Sequence, residues 1–210
     1  MKLITIISCV FFSLMTMKTA KADAEAALLG ALNQLHMAAS TEAARTAVNQ
    51  LERIAMAEPD VWQAHYHHAY GMVMLSFREN DTRLVGQLLD KAEASVKQAY
   101  GAEGDPSELL TLQAFILQAR LNADPSQAME YSTQANNLLS QALEKRADNP
   151  RALLLMGQNL FYTPESFGGG KERALPFFEK SMAAYENNEP QSAIDPFWGQ
   201  QAAQSMLEQY

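Results

Sequence analysis

Three of the four histidines fall in the run His65-Tyr66-His67-His68, and His65 and His68, three apart, share one face if that run is helical. Two imidazoles so spaced can hold a transition metal, but a stable site takes three or four ligands, so Glu108 or another donor would have to come from a neighbouring element. His67 falls on an apolar stripe and reads as a buried, hydrogen-bonded side chain. The expectation is therefore no metal and no cofactor. A second signal is Phe167-Gly168-Gly169-Gly170-Lys171, whose backbone N–H groups ahead of a helix suit an anion. With no strand before it, and neither a dinucleotide fingerprint nor a Walker sequence, it reads as a sharp turn with Phe167 packed inward. No nucleophile motif accompanies the histidines, so no catalytic residue is assigned and an enzyme is not expected.

The elements that must position these residues are helices in pairs. Asn149 caps a helix beginning at Pro150 with an apolar stripe at Leu153, Met156, Gly157 and Leu160, and a partner helix carries Ala174, Phe178 and Ser181. Stepping back 43 residues from the first stripe gives Leu110, Gln113, Ala114 and Leu117, and 43 more gives His67, Tyr70, Gly71 and Met74. The second helix repeats as Ala92, Val96, Ala99 and as Ala135, Leu139, Ala142. Asp105-Pro106-Ser107-Glu108 opens one unit with a cap, a proline at the first position and a glutamate able to reach back. Pro176 implies a late start or a bend in the last partner helix. Asp195 to Tyr210 reads as a closing helix. The expected architecture is all-α: about four antiparallel helix pairs with a C-terminal capping helix.

If the first helix of each pair lines a concave side, residues opposite the core stripe form a groove. The offsets from the small residue give His65, His68 and Met72 in one unit, Glu108, Phe115 and Gln118 in the next, and Arg151, Gln158, Phe161 and Tyr162 in the last. This mixed stripe suits an extended peptide, with Phe115, Phe161 and Tyr162 as apolar anchors and Gln118, Arg151 and Gln158 as polar ones. Trp62, Tyr66 and Tyr70, at fourfold spacing, are core candidates.

The small residues on both helices, with prolines between pairs, resemble the tetratricopeptide repeat, although the usual period is about 34 residues. More narrowly, Trp62 to Gly71, Gln118-Ala119-Arg120 with Asp124-Pro125, Gly157 to Lys171, and Pro196 with Trp198-Gly199 are similar to a group of exported tetratricopeptide-like proteins from Bacteroidota and related bacteria. That resemblance implies a TPR-like α-solenoid and no established activity. A weaker similarity is to the repeat subunit of some TRAP transport systems.

The N-terminus carries Lys2, an apolar run from Leu3 to Leu14 and Ala20-Lys21-Ala22, which read as a signal peptide over residues 1–22 and a single domain over 23–210. Its apolar run is too short for a membrane span. The only cysteine, Cys9, lies within it, so the mature chain has no disulfide framework. Loss of Lys2, Lys18 and Lys21 with the leader takes the formal net charge from −8 to −11, which argues against nucleic acid as a partner. The sequence thus points to a periplasmic or secreted, non-catalytic scaffold that binds a protein or peptide in its groove. The alternative is a small-ligand or metal-binding accessory to a periplasmic transport system.

Overall fold

Caps written into the sequence start four of the helices. Ser40, Asp81, Asp105 and Asn149 each accept hydrogen bonds from first-turn N–H groups, and Pro106 and Pro150 stand where a missing N–H costs nothing. The structure, a computed structural model, describes residues 22–188 and 190–210. Among these residues the chain is all-helical, with α1 (22–36), α2 (Thr41–Ala57), α3 (Trp62–Ser76), α4 (Thr82–Gly101) and α5 (Pro106–Ala123). There follow α6 (Ala128–Lys145), α7 (Pro150–Tyr162), α8 (Lys171–Asn187) and α9 (Gln200–Leu207). The segment expected to be a leader lies outside the described residues apart from Ala22, which opens α1, and Cys9 lies outside them too. No helix among the described residues is long and apolar enough to cross a membrane.

Helices α3 and α4, α5 and α6, and α7 and α8 pack as hairpins. The Ser107 hydroxyl at the start of α5 donates to the Ala142 carbonyl near the end of α6 at 2.9 Å. In the last pair the Ser181 hydroxyl near the end of α8 donates to the Pro150 carbonyl at 2.7 Å, so both pairs run antiparallel. This succession is consistent with helical repeats. Leu28, Leu51, Leu89, Leu112, Leu139 and Leu155 belong to one core spanning α1 to α7, while Leu154, Phe178, Ala203 and Met206 form a second where α9 seals α7 and α8. Truncating a fully buried ring such as Phe178 costs on the order of 3–5 kcal/mol.

The 43-residue period holds in sequence, but its members do not keep equivalent neighbours. A Cβ added at Gly71 would first meet Leu51, Val48 and Leu35, from α2 and α1, whereas at Gly157 it would meet the ring of Phe178 on α8. Helix α3 therefore turns its small residue back onto the preceding pair, and α7 turns its own onto its partner.

Three local expectations are corrected. Glu108 does not reach back to close a capping box; its carboxylate turns inward to Arg146 and Arg151. Phe167 is 64% exposed rather than packed inward, although Gly168, at φ 86, supplies the left-handed turn that the glycine run implied. The segment from Asp195 is not one helix, because Pro196 and the left-handed Gly199 hold it irregular until α9 begins at Gln200. Pro176 is accommodated inside α8, which starts at Lys171.

Candidate functional site

The chain from Pro190 to Gly199 forms a strap lying across the faces of α3, α5 and α7. Beneath it is a buried charge cluster. Glu108 is 2% exposed and is gripped by Arg151, Nε to Oε2 at 2.8 Å and Nη2 to Oε1 at 2.6 Å. Arg146 donates to the same carboxylate, and the Asn149 side chain adds a bond of 3.2 Å. Burial alone would lower the pKa of Arg151, but Glu108 more than offsets it and holds the guanidinium above its ordinary value. Burial first, and then Glu108, push the Tyr66 phenol well above the usual tyrosine range, so its hydroxyl stays protonated and donates toward Glu108 at 3.4 Å.

Trp198 ties the strap to this cluster. Its indole N–H donates to the Tyr66 hydroxyl at 2.9 Å, and its ring stacks at 18° on both Tyr70 and Phe115, with centroids 5.4 and 5.1 Å away. The Tyr185 hydroxyl donates to the Trp198 carbonyl at 2.8 Å. Gly199, at φ 105, follows directly, and any side chain there would run into that hydroxyl. At the strap's other end His67 Nε2 lies 2.7 Å from the Ile194 carbonyl. Burial lowers the His67 pKa to about 4, so the imidazole is neutral and donates this bond. The Gln63 amide donates to Asp195 at 3.1 Å.

Where the strap meets α1 and α3, aromatic rings reach the surface. Phe197 is 42% exposed and Phe77 44%. The rings run on without a gap. His36, exposed at the end of α1, is 5.4 Å from Phe197 and 6.3 Å from Tyr70. Tyr70 lies 6.5 Å from Phe115, and Phe115 5.7 Å from Phe77. Partial burial lowers the His36 pKa, a backbone hydrogen bond with Leu32 opposing part of that, which favours the neutral imidazole. Such a face suits a flat apolar ligand, with one nitrogen donor beside it.

A cleft of about 790 Å³ runs beside the strap, and Phe197 is among its lining residues. Its lining includes Glu103, Asp105, Glu108, Asp148 and Asp195 against Arg146 and Arg151, and both arginines are already paired with carboxylates. An anionic ligand is disfavoured there.

The residues assigned to a groove do not form one stripe. His65 and His68 lie off the strap face, held by the Pro59 carbonyl at 3.0 Å and the Ser95 hydroxyl at 2.8 Å, and Met72 is buried in the core. Glu108 and Arg151 are consumed by each other, and Gln118 donates to the Leu155 carbonyl at 3.0 Å. Gln158 is half-buried on α7. Phe161 and the 72%-exposed Tyr162 pack together near Phe178 and Tyr210. Of the ten, Phe115 joins the aromatic face. The cause is the changed neighbour of Gly71: α3 is rotated, so Gln63, Tyr66, His67 and Tyr70 meet the strap in place of His65, His68 and Met72. Among the described residues no three His, Cys, Asp or Glu side chains gather as a metal cluster.

His36, Phe77 and Phe197 escaped the sequence reading. Pro196-Phe197-Trp198-Gly199 did carry a signal, two large rings between residues that break a helix. Nothing local marked His36, because its neighbours come from α3 and from the strap.

No family model matches the chain and no curated protein is similar to it. Among solved structures, the HusA haemophore from Porphyromonas gingivalis matches with a TM-score of 0.78 and 33% identity, over 90% of this chain and 91% of that one. The chain belongs to the HusA family. This membership corrects the expected function: a relative aligned over nine-tenths of both chains is a haemophore rather than a peptide-binding scaffold. The geometry agrees with the correction, since the residues assigned to the groove form no continuous stripe: His65 and His68 lie off the strap face, and Glu108 and Arg151 are bound to each other. The HusA chain comes from a Bacteroidota, the group named by the resemblance, and it supports an all-helical fold.

Proposed function

We propose that this protein is an exported, non-catalytic carrier of haem or a closely related planar tetrapyrrole, held on the face formed by Phe77, Phe115, Phe197 and Trp198 beside His36. The observation that carries the reading is the likeness to the HusA haemophore. Two features of the face support it. Exposed phenylalanines at the mouth of a stacked aromatic cluster offer flat apolar area to a macrocycle. A cation also stands near: Arg78, next to Phe77, donates to the Ala38 and Ser40 carbonyls at 2.8 and 3.4 Å, which brings it close to the chain just after His36. It would attract a propionate. In the acidic cleft beside the strap the two cations among the described residues, Arg146 and Arg151, are already paired with carboxylates. On this reading residues 1–22 are a signal peptide, residues 23–210 form one domain, and the helix pairs are tetratricopeptide-like.

Titration of the mature protein with haemin, followed at the Soret band, tests this. The expected result is saturable binding that weakens roughly tenfold or more, about 1.4 kcal/mol, when Phe115→Ala and Phe197→Ala are combined. No saturable change, or binding indifferent to both substitutions, would remove the reading.

A further inference from the structure

We propose that His67 is an acid-released latch on the strap 190–199: its neutral imidazole holds the strap down, and a proton on its second nitrogen lets the strap lift. This goes beyond the haem-carrier reading, because the latch does not depend on what the aromatic face receives. His67 lies on α3 under the strap, 1% exposed, and its Nε2–H donates to the Ile194 carbonyl at 2.7 Å. That bond puts the proton on Nε2 and leaves Nδ1 with a lone pair. Among the described residues the buried Nδ1 has no hydrogen-bond partner, and the rings of Tyr66 and Phe197 stand 5.4 and 6.1 Å from the imidazole. A lone pair tolerates such a setting, whereas a charged N–H left without an acceptor does not.

The groups facing His67 come from three elements besides its own helix. Burial foremost lowers its pKa to about 4; the Ile194 carbonyl and Asp195 on the strap favour the proton, and His36 from α1 and Arg151 from α7 oppose it. Both Asp195 oxygens are already engaged, by the Gln63 amide at 3.1 Å and the Ser192 N–H at 2.9 Å. An imidazolium must therefore reach water, and the strap is the weaker wall. Helix α3 buries Tyr66, Ala69, Val73 and Leu75 in the main core, while the irregular strap contributes Ile194 and Trp198 and is tied down by separate bonds to Gln63, Tyr66, His67 and Tyr185. Lifting it takes Trp198 off Phe115, so the aromatic face is complete only while His67 is neutral.

The sign follows from linkage. With the strap up, the imidazole titrates near its ordinary 6.5 and binds a proton more readily than with the strap down, so falling pH favours opening, by up to about 300-fold once the pH is below 4. His68 serves as a control: burial lowers it to about 4 as well, but it turns away from the strap to the Ser95 hydroxyl.

Hydrogen exchange followed by NMR on the mature protein, corrected for intrinsic rates, tests the latch between pH 7.5 and 4.5. The reporters are the Trp198 indole N–H, which donates to Tyr66, and the Asp195 amide, which donates to the Ser192 carbonyl; the amides of Leu89 and Leu139 in α4 and α6 are the reference. Protection of the strap reporters should fall about fiftyfold over that range while staying below that of the reference amides throughout. His67→Gln keeps a donor for Ile194 but cannot titrate, and should show no such fall. His68→Gln, and Asp195→Asn read at the Trp198 indole, should keep it, with circular dichroism confirming the fold of each variant. A fall in His67→Gln equal to that of the wild type overturns the latch. So do strap and reference protons that exchange at one common rate, since the opening is then global unfolding. Neither result bears on haemin binding, which the Soret titration decides separately.

Discussion

Arg151 and Glu108 stand 43 residues apart, one sequence period, in the first turns of α7 and α5, and meet in a bidentate ion pair of 2.8 and 2.6 Å. One sequence period has thus placed a buried acid on one pair and its base on the next. Neither is free to bind a partner.

Removing one member of such a pair leaves the other charge in a dry site. Arg151→Met should destabilise the mature protein by about 3–5 kcal/mol, and the double change Arg151→Met with Glu108→Leu should recover much of that. Urea unfolding of the three proteins measures it. A single variant as stable as wild type would show that Arg146 alone satisfies Glu108.

Gly199 combines a left-handed backbone at φ 105 with a position closed by the Tyr185 hydroxyl. Gly199→Ala should cost at least 1 kcal/mol, about 2–4 °C or more in melting temperature for a chain of this size. Its strap should also exchange amide hydrogens faster. Tyr185→Phe removes the hydroxyl but not the backbone strain, so in combination it should restore only part of the loss.

The buried imidazoles make stability pH-dependent. His67 and His68 are both lowered to about 4, by burial foremost, from an unfolded value near 6.5. The unfolded chain therefore binds more protons between those values. Stability from keeping both rings neutral is fully present above about pH 6.5 and falls as the pH drops toward about 4, by on the order of 3 kcal/mol for the fully buried His67. Melting temperatures from pH 7.5 to 4 should show the decline, and His67→Phe should flatten part of it.

Arg78→Glu replaces the cation near the aromatic face with an anion. Haemin affinity should fall about tenfold, and the loss should shrink as salt is raised, because an exposed charge is screened. Tight binding that survives the reversal at low salt would place the propionates elsewhere.

Much of the architecture was legible before any coordinates. Asn149-Pro150 and Asp105-Pro106 mark helix starts because capping is a local hydrogen-bonding matter, settled within four residues. The buried stripe of Ala92, Val96 and Ala99 was readable for the same kind of reason, since a helix repeats its faces by simple geometry. The candidate site was far less so. The same offset from the small residue points to different surroundings on α7 and α3, because Gly71 packs on Leu51 and Val48 while Gly157 packs on Phe178.

The sequence by itself determined the helices, their order in pairs and the places where each begins, because caps, turns and periodicity act between residues a few positions apart. Only the tertiary structure decided how far each helix is rotated about its axis, and that the chain's last segment returns to lie across the earlier helices. Rotation depends on how large and small side chains interlock across an interface, and a returning strap depends on contacts such as Trp198 with Tyr66, far apart in the chain. His36 beside Phe197 exists through both.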